Sequence, residues 1–533
     1  MKEVYAMGTY LNPGNSGFEA IRKTSYVDKS GMISLVNQTI GTTHKLTCVS
    51  RPRRFGKSFA AQMLCAYYDK TCDSAALFDD LSIARDPQYT EHLNRYDVIY
   101  LDMTGVIGET SAGDIVPFVK RNIIRELLEA YPNLKEEEGF ISTLVNAVAL
   151  TGRRFIVIID EWDAPIREAG CGPQAQRDYL EFLRTLFKNS GATSQIIAAA
   201  YMTGILPIKK DGSQSAISDF QEFSVLDPGK YSAFTGFTEN EVETLCGIYH
   251  MSFDEAKSWY DGYCFDEVHS IYNPYSIMSA LQSGKFKSYW KKTSAAEALL
   301  TYIDMDEEGL QGEIARLVSG EEIEVDIDGF ENDFQTFKGK DDVLTLLIHL
   351  GYLAYREEEQ GTGMVRIPNK EVRLEFHQIL RKGKHRELHR LIRESDLLLE
   401  KTIQGDADGV AEAIARIHDS NYAPQFYNNE QALRAVVRYA YITCVDQYAK
   451  IEELPSGHGC ADIVYLPKWR SALPALLIEL KWNKTASGAM AQIRDRNYPA
   501  VLEGFGGELI LVGVNYHEKT KVHSCVIEKQ GGR

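Results

Sequence analysis

The sequence predicts an α/β protein in three parts: a parallel sheet with helices on both faces, a helical and winged-helix-like middle region, and a smaller C-terminal α/β domain. Three observations lead there. Short apolar runs alternate with helix-like segments over the first 205 or so residues, the pattern of strands linked by crossover helices. A basic turn, Arg51-Pro-Arg-Arg-Phe-Gly56-Lys57-Ser58, separates the first apolar run from the first helical one. A fresh cycle of helix, strands, helix and strand then begins near Asn428. At 533 residues the chain exceeds one compact core, so several domains are expected.

The elements follow in order. His44–Ser50 (HKLTCVS) reads as a buried strand and Ser58–Tyr68 as the helix after the basic turn. Val98–Met103 (VIYLDM) is a second strand, and Ile115–Tyr131 has its apolar residues at helical spacing. Phe155–Asp160 (FIVIID) is a third strand, Asp178–Lys188 a helix and Ile196–Met202 a fourth strand. Residues 1–235 are therefore expected to form one domain and 236–303 a helical lid with aromatic turns such as Trp259-Tyr-Asp-Gly-Tyr263. Residues 304–427 read as linker and helical, winged-helix-like region, acidic up to 342 and flexible in part. Residues 428–533 form the last domain: a long helix to Tyr448, strands at Ala461–Leu466 and Leu476–Leu480, a helix at Met490–Arg496 and a strand at Glu508–Val514.

Composition excludes several classes. With 44% hydrophobic and 25% charged residues the chain is ordinary globular material, not a disordered or fibrous one. No run approaches the roughly 20 apolar residues of a membrane-spanning helix, so no membrane is expected. The N-terminal stretch lacks the basic and apolar regions of an export signal, and nine scattered cysteines make no CxxC pair. A reducing cytoplasmic location follows as the expectation. The net charge of −17 argues against non-specific coating of nucleic acid. That charge is uneven: residues from 428 onward hold 13 Lys+Arg against 11 Asp+Glu, a net of +2, which leaves −19 on residues 1–427. Only the C-terminal part can approach a phosphate backbone without strong repulsion.

The basic turn follows a strand and opens a helix, the setting in which amide N–H groups and a helix N-terminus face phosphate. Lys57 would reach the β- and γ-phosphates of ATP, and the Ser58 hydroxyl would bind Mg2+. Arg51 occupies the place of the usual first glycine of GxxxxGK[ST]. The run ending in Asp160 and Glu161 supplies the acidic partner: Asp160 to hold Mg2+, Glu161 to orient or deprotonate the attacking water. Thr203 has two readings, a polar sensor of the γ-phosphate or a strand-end threonine satisfying a turn. Arg53 and Arg54 likewise either add charge at the phosphates or stand solvated in the loop.

These residues carry a resemblance. SRPRRFGKS, FIVIIDEWDAP and the MTGI strand end resemble the bacterial AAA-ATPase-like family, as do WYDGY, IYNPYSI, LLIHLGYLAY and IPNKEV further on. The resemblance covers nearly the whole chain. It implies a P-loop ATPase of the AAA/STAND-related kind, with the loop Arg53, Arg54, Phe55, Gly56, Lys57, Ser58 as the nucleotide cradle and a homo-oligomer as the working form. The family often carries a C-terminal domain of the PD-(D/E)XK nuclease superfamily.

The C-terminal residues fit that implication. Asp462 is followed 17 residues later by Glu479-Leu-Lys481, and on a strand residues 479 and 481 share one face. Two carboxylates and a lysine suit metal-dependent phosphodiester hydrolysis, with Mg2+ or Mn2+ on Asp462 and Glu479 and Lys481 at the attacking water. The pattern resembles the D…ExK core of that superfamily. Glu430 matches its upstream acidic residue, or else serves the dipole of its own helix. Gln492 and Tyr498 resemble a Gln/Tyr helix that positions DNA, although their spacing departs from the tight QxxxY form.

The leading expectation is an ATP-driven P-loop protein controlling a metal-dependent DNA endonuclease, an architecture suited to defence against foreign DNA. The alternatives are a STAND-type signalling or scaffold ATPase whose nuclease-like domain only binds a partner or nucleic acid, and a DNA-repair motor.

Overall fold

The computed structural model describes residues 8–530 except 169, 188–189, 209, 212–213, 216, 218, 266–267, 291–308, 329, 331–338, 360–361, 383–385, 422–428, 456–459, 468–472 and 497–506. The chain divides into two compact units. Met1–Trp290 with Glu324–Asn369 forms the first, and Lys291–Ile323 with Lys370–Arg533 the second. The expected 304–427 segment is thus shared between them, and the expected boundary near Asn428 lies outside the described residues. So does part of the acidic stretch before 342.

The first unit is built on five strands: β1 (Leu46–Ser50), β2 (Asp97–Asp102), β3 (Phe155–Asp160), β4 (Ile197–Gly204) and β5 (Gln221–Phe223). Their order is β2-β3-β4-β1-β5 and every pairing is parallel. β1, β3 and β4 are buried along their whole length. That explains their continuous apolar runs, because a sheet covered on both faces has no polar side to alternate with. On one face Cys48, Leu101, Val157, Ile159 and Met202 pack with helices α2 (Ile115–Ala130) and α3 (Pro173–Phe187). On the other, Val49, Val98, Ile156, Ile158 and Tyr201 meet the buried side of α1 (Lys57–Tyr68).

Arg51 has a structural role. Its side chain is fully buried, with Nε donating to Thr235 Oγ1 at 2.9 Å and Nη1 to the carbonyls of Ser50, Phe223 and Ser224 at 2.8–2.9 Å. The guanidinium also lies over the Phe265 ring, 5.0 Å from its centroid. It ties β1 to the end of β5, where a glycine would leave these acceptors without a donor. Arg51→Gly, which restores the usual motif, should therefore destabilise the protein by about 3 kcal/mol. A urea unfolding midpoint equal to that of the wild type would refute this role.

Later motifs of the first unit close on one another. Asn273 caps the helix Pro274–Ser283, accepting from the Tyr275 and Ser276 amides with Pro274 in the first turn, as cap chemistry prefers. Gly262 sits at φ 133, and a Cβ there would lie 1.9 Å from the Pro368 carbonyl oxygen; only glycine permits that approach. Asn369 Nδ2 donates to the Tyr260 carbonyl at 3.2 Å. WYDGY and Ile367-Pro-Asn369 are thus two sides of one packed seam. Helix α4 (Lys340–Leu350) and the hairpin Ala354–Glu359 with Thr362–Arg366 complete the unit.

The second unit holds a sheet of β6 (Tyr448–Pro455), β7 (Cys460–Pro467), β8 (Ala475–Trp482), β9 (Leu509–His517) and β10 (Val522–Gln530), in sequential order. Only β8 and β9 run parallel. Helices α5 (Glu430–Ala440) and α6 (Ala486–Asp495) flank β8. The helix expected to run to Tyr448 ends at Ala440. Beyond it the run Ile442-Thr-Cys-Val turns as a short 3-10 segment before β6, in line with the weak helix preference of β-branched residues. Among the described residues no helix is long and apolar enough to cross a membrane, and Cys48, Cys65, Cys72, Cys171, Cys246, Cys264, Cys444 and Cys525 are free thiols.

Candidate functional site

The loop 51–56 brings β1 into α1 through two left-handed residues, Arg54 at φ 69 and Gly56 at φ 88. Gly56 is the N-cap of α1 and no side chain caps that end, which leaves its first amides without a side-chain acceptor. Lys57 folds beside this loop: Nζ donates to the Pro52 carbonyl at 3.0 Å and lies 3.8 Å from Glu161 Oε1. Burial lowers its pKa, and Glu161 and Asp160 partly restore it.

β4 lies between β1 and β3, and Thr203 stands in register with both Val49 and Asp160. Its hydroxyl donates to the Val49 carbonyl at 3.0 Å and is fully buried, so here it satisfies the strand. Asp160 ends β3. Burial pushes its carboxyl up to about 6, while the Ser58 hydroxyl bonds it and pulls the other way. Ser58 itself is exposed. An oxygen pair of carboxylate and hydroxyl at the mouth of an anion loop matches the donor set Mg2+ prefers.

Glu161 adopts φ 51, a conformation unusual outside glycine. Its Oε2 accepts from Arg167 Nη2 at 2.6 Å. Arg167 Nε in turn reaches Asp163 Oδ2 at 2.7 Å, and that oxygen also takes the Ile205 and Leu206 amides at 3.1 and 3.0 Å. Sequence reading missed Asp163 and Arg167; the signal available was their i,i+4 spacing just after Asp160-Glu161. Arg53 stands near Arg167 and Glu161, and burial with the neighbouring guanidinium lowers its pKa. Arg54 turns away: Nη1 donates to the Tyr289 carbonyl at 3.1 Å and its guanidinium lies 4.4 Å from the centroid of the Tyr275 ring. Phe55 is buried edge-on to Tyr263. These last two side chains fasten the loop instead of facing its open side.

In the second unit β7 and β8 bring Asp462, Glu479 and Lys481 together. Asp462 Oδ2 accepts the Leu480 amide at 2.8 Å and Oδ1 the Arg434 guanidinium at 2.5 Å. Lys481 Nζ donates to Glu479 Oε1 at 2.9 Å and to the Leu480 carbonyl at 2.8 Å. Gln492, from α6, also donates to Glu479 Oε1. Glu479 Oε2 is buried without a hydrogen-bond partner, and such an orphaned carboxylate oxygen fits a cation ligand. Glu430 lies in the first turn of α5, one turn before Arg434. Among the described residues no three His, Cys, Asp or Glu side chains are grouped to hold a metal, so Glu430 is not gathered with the other two. Tyr498 lies outside the described residues. Arg434 was missed, having no motif of its own.

Burial, with Asp462 nearby, pushes the Glu479 carboxyl up to about 7 from 4.5. Between those values the folded protein keeps a proton that the unfolded chain has lost. The stability this contributes is full below 4.5 and gone above 7. A divalent cation held there would compete with that proton, so its thermal stabilisation of the protein should grow as pH rises toward 7, on the order of tenfold in affinity per pH unit below the pKa. The growth should vanish in Glu479→Gln. Mn2+-induced melting shifts independent of pH would contradict this.

Residues 13–213 match the family model AAA-ATPase-like, described as "Predicted AAA-ATPase". The matched segment spans β1 to β4 and holds the loop 51–56, Asp160, Glu161 and Arg167. Over 531 residues the chain is 24% identical to an uncharacterised protein in the vnfD 5′ region of Azotobacter chroococcum mcd 1, covering 95% of this chain and 96% of that one. Solved structures similar to it include the ORC2 protein of Aeropyrum pernix in ADPNP–ADP complexes, at 9% identity and a TM-score of 0.27, over 68% of this chain and 93% of that one. The ORC1 protein of the same organism in complex with DNA matches at 10% identity and a TM-score of 0.24, over 67% and 94%.

Proposed function

We propose that this chain binds and hydrolyses ATP at the β1–α1 loop, and that its nucleotide state governs a metal-dependent phosphodiesterase site in the second unit, acting on DNA. The observation that carries the first part is the meeting of Lys57, Ser58, Asp160 and Glu161 at an uncapped helix N-terminus within the AAA-ATPase-like segment. Ser58 and Asp160 would hold Mg2+, which supplies charge neutralisation at the phosphates. Lys57 would bind the β- and γ-phosphates, and Glu161 would take a proton from water as the water oxygen bonds to phosphorus and the bond to the ADP oxygen breaks. A homo-oligomer remains the proposed working form.

The second part rests on the buried Asp462–Glu479–Lys481 group with its orphaned carboxylate oxygen. Asp462 and Glu479 would hold Mg2+ or Mn2+, and Lys481 would orient the attacking water. One observation favours the binding-only alternative: Arg434 already neutralises Asp462. Two assays run side by side test the whole reading, nucleotide binding by Lys57→Ala and Mn2+-dependent nicking by Lys481→Ala. DNA-stimulated ATP turnover with no nicking would favour the motor instead.

A further inference from the structure

Glu161 is not free to act as a base. Its carboxylate is clasped by Arg167 at 2.6 Å and faces Lys57 at 3.8 Å. Asp163 is a fixed post for Arg167, since it is fully buried and two backbone amides at the end of β4 hold the oxygen that Arg167 Nε also reaches. The guanidinium therefore has one anchored edge, toward Asp163, and one outer edge, toward Glu161. Glu161 is the more exposed partner, its side chain 22% accessible against 9% for Arg167. Arg53 and Lys57 also lie near Glu161 and Asp163, with the carboxylates of Asp160 and Glu168 close by. An incoming terminal phosphate offers the outer edge of Arg167 a partner with more charge and more acceptor oxygens than Glu161 does.

We propose that Arg167 is a positioning residue that clasps Glu161 until the γ-phosphate of ATP takes the carboxylate's place, so that the base is released only by the triphosphate. ADP lacks that group and leaves the clasp closed. The inference rests on the nucleotide-site reading above and adds to it a cation supplied from within the same chain.

The test compares ADP with a non-hydrolysable ATP analogue, and adds single-turnover hydrolysis, using the full chain. Arg167→Ala should bind ADP as the wild type does, bind the analogue about tenfold more weakly or worse, and hydrolyse ATP about 100-fold more slowly, the scale of lost charge-assisted phosphate contacts. Arg167→Lys should recover part of the analogue affinity. Glu161→Gln leaves the Arg167–Asp163 pair intact and removes the competitor, so it should shift selectivity toward the analogue by about tenfold. General loss of folding cannot produce opposite changes in that selectivity. An unchanged analogue-to-ADP ratio in both Arg167→Ala and Glu161→Gln, or faster hydrolysis by Arg167→Ala, overturns the clasp while leaving the nucleotide site standing. A wild type that binds neither nucleotide overturns both.

Discussion

Lys57→Ala should lose nucleotide binding by about 100-fold or more, the equivalent of roughly 2.7 kcal/mol and the scale of two charge-assisted contacts to phosphate. The fold should survive. Lys57 bonds a loop carbonyl and stands 3.8 Å from Glu161, and Glu161 keeps its closer partner Arg167. Removing a lysine whose pKa burial has already lowered also relieves a desolvation penalty. Glu161→Gln should behave oppositely, keeping ADP, binding the ATP analogue no more weakly than the wild type and slowing hydrolysis by about 10²–10⁴-fold, since it removes the proton acceptor. Equilibrium binding of a fluorescent ATP analogue and single-turnover hydrolysis separate the two. An affinity in Lys57→Ala within threefold or so of the wild type would sink the assignment of this loop.

What was legible in the sequence was what is local in the chain. β1, β3 and β4 announce themselves because both their faces are buried, and the Gly56-Lys57-Ser58 and Asp160-Glu161 runs sit at strand ends that hydrophobicity alone locates. β5 is three residues, Gln-Glu-Phe, none fully buried, and carries no pattern to read. β6 and β10 are outer strands of their sheet, and charged residues at positions such as Lys450, Glu452, Glu528 and Lys529 hide their period. The residues misread or missed act over long sequence separations. Arg51 looks like a lost glycine until residues 223–235 fold against it. Asp163 gains its role from amides more than 40 positions away, and Arg434 from Asp462, 28 positions on. Thr203 stood between two readings because the carbonyl that takes its proton belongs to Val49, on another strand.

Asp462→Ala and Lys481→Ala should separate cation binding from cleavage in the second unit. Asp462 and the orphaned oxygen of Glu479 are the cation donors in this reading, so Asp462→Ala should remove Mn2+-induced thermal stabilisation and any nicking together. It also removes the contact that Asp462 Oδ1 gives the Arg434 guanidinium, at a cost of about 1–3 kcal/mol in the metal-free protein. Lys481 bonds the other Glu479 oxygen, Oε1, which Gln492 also reaches. Lys481→Ala therefore leaves the donor oxygens in place and should keep the stabilisation. Nicking should nonetheless fall by about 10²–10³-fold, because the cation that offsets charge on the pentavalent transition state is gone. Arg434→Gln supplies the converse: it vacates Asp462 Oδ1, so the same Mn2+ concentration should stabilise this variant more than the wild type. Stabilisation by Mn2+ in the wild type without nicking of any DNA or RNA, with or without ATP, would leave a domain that binds and does not cut. Neither stabilisation nor nicking would remove the metal as well, and Arg434 would then be the permanent partner of Asp462 in a partner-binding fold.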